Sequence, residues 1–298
     1  MSNTLQNVNL AQLAQQSLDV LVPHLVPLNV VTTDLSADVA TSGATVGTRI
    51  ATQMTGVANI ETLGYAGSAE AVTLTAKTVT LGALSGLVIG FTDTEWSKSS
   101  INLMDVFVKP GINLIAKGMQ DTLWALFTSS NYTNSETITA AAFNADKVAL
   151  LAEKCTDLNW PAMDRAMVLK PSYFTRLTLD KAIQAQYAYG GSEVIRYRQI
   201  PAVSGFAPVM EYSGLPDNSQ NLVGVVLNKQ AAIVASRVPA TPDSFNGEIT
   251  NVSDPDSGFT MQLRKWYSPD AGKYFMSIGA LWGASVGNGA AAVRIVSA

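Results

Sequence analysis

The sequence predicts an α+β protein, and three observations carry that reading. Apolar residues recur at offsets of three and four from Ile112 to Leu126, the period of a helix with one buried face. Phe259, Met261 and Leu263 alternate with Thr260, Gln262 and Arg264, and the turn Asp270-Ala-Gly272 leads into Tyr274, Met276 and Ile278, the pattern of a β-hairpin. After the long helix and a mixed region, the remainder of the chain reads mostly as strands, the run of helices and strands expected of an α+β chain.

Taken in order, residues 9–21 place Leu10, Leu13, Leu18 and Leu21 on one stripe, with Asn9 positioned to cap, so an amphipathic helix is expected there. Pro23 stops it, and Pro27 precedes an extended Val30 and Val31. The segment reads as an arm whose apolar stripe needs a partner surface. From Ser36 to Ala69 the chain is rich in Gly, Ala and Thr, with few large side chains to build a separate core. Val72, Leu74 and Ala76 then face one way, and Thr73, Thr75 and Lys77 the other. Residues 42–87 read as a long two-stranded excursion, marginal by itself and ordered by lying across something else.

The strongest helix follows Trp96. Pro110 suits its first turn, Ile112, Ile115, Met119, Leu123 and Leu126 form the face, and Trp124 and Phe127 broaden it. From 110 to 127 the rod measures about 27 Å. A further helix is expected over 144–155, with Val148, Leu151 and Cys155 on one side. A strand over 166–169 and a helix opened by Pro171, carrying Phe174, Leu177 and Ile183, come next. Residues 222–227 are almost wholly apolar and read as a central strand, whereas Arg196 and Arg198 alternate with Ile195 and Tyr197 as in a half-exposed one. The uncharged run 276–293 contains Ser277, Ser285, Asn288 and four glycines, so it reads as a closely packed small-residue strand and not as a membrane span.

Composition narrows the function classes. A chain of 298 residues can bury a substantial core. Its single cysteine excludes a disulfide-stapled scaffold, and residues 1–10 do not resemble a secretory signal, so folding in a reducing cytosol is expected. With 19 basic and 23 acidic residues, a net charge of -4 and no basic cluster beyond Arg196-Tyr197-Arg198, dedicated nucleic-acid recognition is not expected. Charged residues make up 14% of the chain, against roughly a quarter in an average domain. That leaves much of the surface to small polar residues or to partner subunits.

Catalytic chemistry has little to stand on. His24, the only histidine, lies between Pro23 and Leu25 with no nucleophile or ligand set nearby, and reads as a turn or interface residue. Cys155 reads as a small core hydrophobe. Asp93 and Glu95 would share one face of a strand, which suits a cation or an acid pair, and equally an intersubunit contact. Residues 253–258 read as a surface turn lacking the full calcium-loop pattern. No nucleophile elbow, phosphate loop or dinucleotide fingerprint occurs, and neither catalysis, metal nor cofactor is expected.

The order of arm, Gly- and Thr-rich two-stranded loop, long helix, mixed region and terminal strands resembles the major capsid protein of tailed double-stranded DNA phages. The fold is also used by encapsulin-like cellular compartments. The likeness covers nearly the whole chain and is carried by Val72-Thr-Leu-Thr75, the return from Phe91 to Trp96, and the helix 110–127. It implies an N-terminal arm (1–41), an extended loop (42–87), a peripheral domain (88–161) with a spine helix (110–127), an axial domain (162–269), and C-terminal strands (270–298) returning between the domains. It also implies a structural subunit of an icosahedral capsid enclosing double-stranded DNA, located in the virion and assembled in the host cytoplasm. The partners would be copies of itself as hexamers and pentamers, with scaffolding, portal and decoration proteins, and DNA held without sequence-specific recognition; no membrane is involved.

Under this resemblance the assembly-interface candidates are Leu10, Leu13, Arg49, Glu61, Glu70, Lys77, Asp93 and Glu95, and the spine core is Ile112, Ile115, Met119, Leu123 and Leu126. Some family members crosslink a loop lysine to a distant asparagine. Lys77 is the only lysine in 42–87, but no acceptor matches, so crosslinking is not expected. The alternatives are a non-viral compartment shell, a soluble adhesin or carbohydrate-binding module using Tyr187 and Tyr189, and an enzyme with a pocket converging on Asp93 and Glu95.

Overall fold

The computed structural model describes residues 26–39, 45–51, 61–62, 74–82, 84–98, 103–185, 198–200, 202–242, 244–253 and 259–298; at 26 and over 36–39, 48–51, 74–75, 96–98 and 103–112 it describes the backbone only. The expected arm helix over 9–21 lies outside the described residues. After a 3₁₀ turn at Val26–Val30 come β1 (Thr32–Val39), β2 (Thr45–Ala51), β3 (Leu74–Thr80), β4 (Ser85–Thr92), α1 (Asp93–Lys98) and α2 (Leu103–Trp124). The middle contains β5 (Ser135–Thr137), α3 (Ala145–Asp157), β6 (Arg165–Leu169), α4 (Pro171–Thr178), α5 (Lys181–Ala185), β7 (Val209–Glu211) and β8 (Leu222–Asn228). The chain closes with β9 (Ala232–Val238), β10 (Glu248–Ser253), β11 (Thr260–Ser268), β12 (Lys273–Val286) and β13 (Ala292–Val296).

These strands form a six-stranded sheet in the order β1-β9-β12-β11-β10 with β4 also on β12, a five-stranded sheet in the order β5-β13-β8-β6-β7, and the β2-β3 ribbon. The expected hairpin is present: β11 and β12 pair antiparallel around Gly272, whose φ of 58° is the left-handed conformation that glycine takes without strain. β12 is long enough to serve two neighbourhoods. Residues 273–280 pair with β4, while 281–286 pair with β9. The uncharged run is thus mostly strand, as expected.

The spine helix α2 joins the two sheets. Ile115, Met119 and Leu123 share a core with Leu263, Met276 and Ile278 of the larger sheet and with Val168, Val225 and Leu227 of the smaller. The opposite face of the smaller sheet, through Met167, Leu169 and Val226, packs on Val148, Leu151 and Cys155 of α3 and on Tyr173, Phe174 and Leu177 of α4. Burial on both faces explains why β8 is apolar from Leu222 to Leu227 and sits at the centre of its sheet. Asn144 caps α3 by accepting from Lys147 N at 3.0 Å, and Pro171 opens α4 as expected.

Several expectations need correction. α2 begins at Leu103, seven residues before Pro110, and ends at Trp124 instead of Phe127, giving a rod of about 33 Å. Proline is cheapest in a first turn, so the sequence pattern placed the start there; here the helix continues through a residue that cannot donate to the preceding turn. Val30 belongs to a 3₁₀ turn and Val31 to a bend. Along β3 the expected alternation is present, and the less exposed side is the one that carries Lys77 and Val79, while Ala76 is exposed. Val79 and Leu81 set that phase by packing on Ile233 and Ala235 of β9.

Arg198 lies outside any strand, at φ 53°, and Ile195 to Tyr197 are outside the described residues. Thr260 and Gln262 are buried like their apolar neighbours, because the segment after β9 covers that face: Gln262 donates to Pro239 O at 3.2 Å. The boundary at 161/162 separates α3 from β6, yet the two share one core. Likewise β9 to β11, within 162–269, belong to the sheet of β12 and β4. Sheet partners distant in sequence decide this grouping.

Candidate assembly surfaces

The β2-β3 ribbon projects from a short root. Thr45 to Ala51 pair antiparallel with Thr80 to Leu74, which sets Arg49 opposite Ala76 and Thr48 opposite Lys77. Below them Val79 and Leu81 anchor the ribbon, and Gly82 N donates to Trp282 O at 2.9 Å. Gly283 allows the approach, since a Cβ there would lie 2.2 Å from Thr80 O. Lys77 is half-buried, and Glu61 is exposed in a single helical turn at 61–62. Leu10, Leu13, His24, Glu70, Tyr187 and Tyr189 lie outside the described residues.

Asp93 and Glu95 open α1 and do not face one way along a strand. Thr92-Asp93-Thr94-Glu95 is a capping box: Thr92 N donates to Glu95 Oε2 at 2.9 Å, and Glu95 N donates to Thr92 Oγ1 at 3.2 Å. The Thr92 N–H and hydroxyl, both donating to the Glu95 carboxylate, hold its pKa below the usual 4.5. Asp93 accepts from the Tyr267 hydroxyl at 2.9 Å, and this bond raises the Tyr267 pKa. Both carboxylates thus engage local donors. Among the described residues no group of three or more His, Cys, Asp or Glu is placed to hold a metal ion.

Ile115, Met119 and Leu123 are fully buried on α2, Leu126 is half-buried in the turn beyond it, and the Ile112 side chain is outside the description. Asn218 caps the C-terminal end: its Nδ2 donates to Trp124 O at 3.1 Å and to Phe127 O at 3.0 Å. Sequence reasoning missed Asn218, because a C-terminal cap from a residue about ninety positions away leaves no local signal. It also missed Arg165, which is buried and donates to Pro161 O at 2.7 Å, Ala152 O at 3.2 Å and Trp160 O at 2.7 Å, tying α3 to β6.

Large apolar side chains are exposed in several places, among them Leu114 (64%) on α2 and Tyr267 (39%) on β11. Leu84 (52% exposed) and Val88 (62%) flank a cleft of about 330 Å³ on the outer face of the larger sheet, walled by Phe245 and Trp266. Leu150, Met163 (81%) and Leu179 are exposed on the α3–α4 side. Among the described residues no helix is long and apolar enough to cross a membrane.

A spine helix bridging a ribbon-bearing sheet and a second, helix-backed sheet defines a class: this is the fold of tailed-phage major capsid proteins. No family model matches the chain, and no curated protein matches it in sequence. The structural likeness is nonetheless nearly end to end. The capsid structure of the cyanophage P-SCSP1u aligns over 90% of this chain and 86% of that chain, with a TM-score of 0.61 at 13% identity. The mature capsid of bacteriophage PhiM1 aligns over 89% and 85%, with a TM-score of 0.61 at 12% identity. A virus-like particle from Pyrococcus furiosus aligns over 96% and 98%, with a TM-score of 0.55 at 10% identity.

Proposed function

We propose that this chain is a structural subunit that self-assembles, as hexamers and pentamers, into an icosahedral capsid enclosing double-stranded DNA, and that it has no enzymatic role. The observation that carries the reading is the near end-to-end likeness, over both partners' lengths, to phage capsid subunits. The physics agrees with it. A charged fraction of 14% leaves a surface suited to repeated contacts between copies, and the acidic balance keeps a shell wall from adhering to packaged DNA.

In this reading the β2-β3 ribbon is the extended loop, and Arg49, Glu61, Glu70 and Lys77 set its register on a neighbour through rim charges. Asp93 and Glu95 shape the local turn that returns the loop to the spine. The unit around β5, β13, β8, β6 and β7 with α3 and α4 serves as the axial domain; α2 with the six-stranded sheet serves as the peripheral one. Scaffolding, portal and decoration proteins are the further partners, and the virion, assembled in the host cytoplasm, is the location. The likeness to the Pyrococcus furiosus particle supports a second reading, a shell without a phage genome.

Negative-stain imaging of the purified protein, with light scattering on the same sample, tests the proposal. Hollow particles, or free pentamers and hexamers, are expected, and deletion of residues 1–34 should abolish them. A stable monomer or dimer across concentration and salt, even with a scaffolding partner, would overturn it. Nuclease-protected DNA in particles from the native source separates the capsid from the compartment.

A further inference from the structure

The sequence contains two Asn-Gly pairs, Asn246-Gly247 and Asn288-Gly289, and the fold treats them in opposite ways. Asparagine is a chemically labile residue, and a glycine after it leaves the next backbone nitrogen unshielded by a Cβ. Where the intervening peptide is free to turn, that nitrogen reaches the side-chain carbonyl carbon and reacts with it.

Asn288 is held. Its N–H donates to Gln230 O at 2.8 Å, its carbonyl accepts from Ala291 N at 3.0 Å, and its Oδ1 accepts from Ala290 N at 3.0 Å. Gly289 lies against Asn131, where an added Cβ would come within 2.8 Å of the backbone oxygen. Both the peptide and the side-chain amide are therefore fixed. Asn246 is in the opposite condition. It is exposed in the segment leading into β10 and lines a shallow cleft of about 420 Å³ with Phe245, Trp266 and Tyr267, so water reaches it. The β10–β11 ladder starts one residue beyond the pair, at Glu248 and Lys265. Among the described residues, neither the Asn246 side chain nor the Gly247 N–H makes a hydrogen bond.

We propose that Asn246-Gly247 is a site of spontaneous deamidation in the folded protein, giving an aspartyl or isoaspartyl residue at position 246, while the fold protects Asn288-Gly289. Gly247 N attacks Asn246 Cγ. The N–Cγ bond forms, the Cγ–Nδ2 bond breaks, and Nδ2 leaves as ammonia with the proton lost from Gly247 N. Water then opens the five-membered imide: attack at Cγ yields the aspartyl product, and attack at the former backbone carbonyl yields the isoaspartyl one. Nothing is oxidised or reduced, and each conversion adds one negative charge.

The consequence falls on the outer face of the larger sheet. Phe245, the preceding residue, stands edge-on to Trp266 at 5.9 Å, and the Arg264 guanidinium lies over its ring at 5.8 Å. The isoaspartyl product lengthens the main chain by one carbon beside Gly247, which is packed so closely that a Cβ would lie 2.4 Å from Lys265 O. The loop must shift to take up the extra length, and the Phe245 contacts with Trp266 and Arg264 loosen.

Incubation of the full-length, unassembled subunit at mildly alkaline pH, followed by peptide mapping with mass spectrometry, tests this and stands apart from the shell reading. Position 246 is expected to convert about tenfold faster than 288 or more, because local structure restrains only the second pair. The rate should rise with pH, since the attacking nitrogen must shed its proton, and in denaturant the two rates should converge. Isoelectric focusing should show a matching acidic band, which Asn246→Gln, whose longer side chain would have to close a larger ring, should remove. Persistence of asparagine at 246 in the folded protein, equal conversion at 288, or an undiminished gap in denaturant would overturn the inference.

Discussion

The indole of Trp282 on β12 lies directly over Gly118 of α2. A Cβ at Gly118 would meet Trp282 Cζ2 at 3.2 Å, and the indole Nε1 donates to Thr122 Oγ1, one turn along the helix, at 3.2 Å. Glycine in a helix interior is unfavourable by about 1 kcal/mol relative to alanine, so its presence here reflects the close approach of the sheet. Gly118→Val should push α2 from β12 and lower subunit stability by about 1–3 kcal/mol. Thr122→Val, which loses only the hydroxyl, should cost about 1 kcal/mol. Urea unfolding of the unassembled subunit, followed by tryptophan fluorescence, measures both.

Gly283→Ala makes a sharper demand, because the new methyl would collide with a backbone atom, Thr80 O, at 2.2 Å. The root of the ribbon must move, breaking the bond from Gly82 N to Trp282 O. A loss of about 1–3 kcal/mol is expected, with faster hydrogen exchange at the Gly82 amide than at the amides of β8.

The capping box predicts a pH dependence with a definite sign. The folded-state pKa of Glu95 is lowered, so its contribution is fully present above the ordinary 4.5 and is lost as pH falls below that value through the folded one. Glu95→Ala should therefore be less stable than the parent at neutral pH, and the two unfolding midpoints should converge as the solution is acidified below 4.5. A gap that persists unchanged in acid would show that the carboxylate charge is irrelevant to α1.

Burial pushes the Cys155 thiol up to about 11, despite the nearby charges of Arg165 and Lys154. In the folded protein at neutral pH it should resist a disulfide-exchange reagent for hours and react fully once denaturant is added. Rapid labelling of the native protein would mean that α3 opens from the five-stranded sheet.

Much of the architecture was legible locally. Val148, Leu151 and Cys155 declare a buried helix face, Pro171 a helix start, and the alternation around Asp270-Ala-Gly272 a hairpin, because each signal lies within one or two turns of chain. Asp93 and Glu95 were misread for a related reason: a spacing of two suggests one face of a strand, whereas Thr92 and Glu95, three apart, are the pair that acts. The interface candidates Leu10, Leu13 and Glu70 lie outside the described residues.

By itself, the sequence determined that the chain is α+β, that a long apolar-faced helix lies at its middle, and that no set of nucleophile, base and ligand residues clusters along it. These are properties of residue type and short-range period, which follow from backbone geometry. Only the tertiary structure decided that α3 shares a core with β6, that β12 divides its length between β4 and β9, and that Asn218 caps a helix ninety residues upstream. Such pairings depend on which surfaces meet after folding, and residues that meet only then leave no periodic trace in the chain.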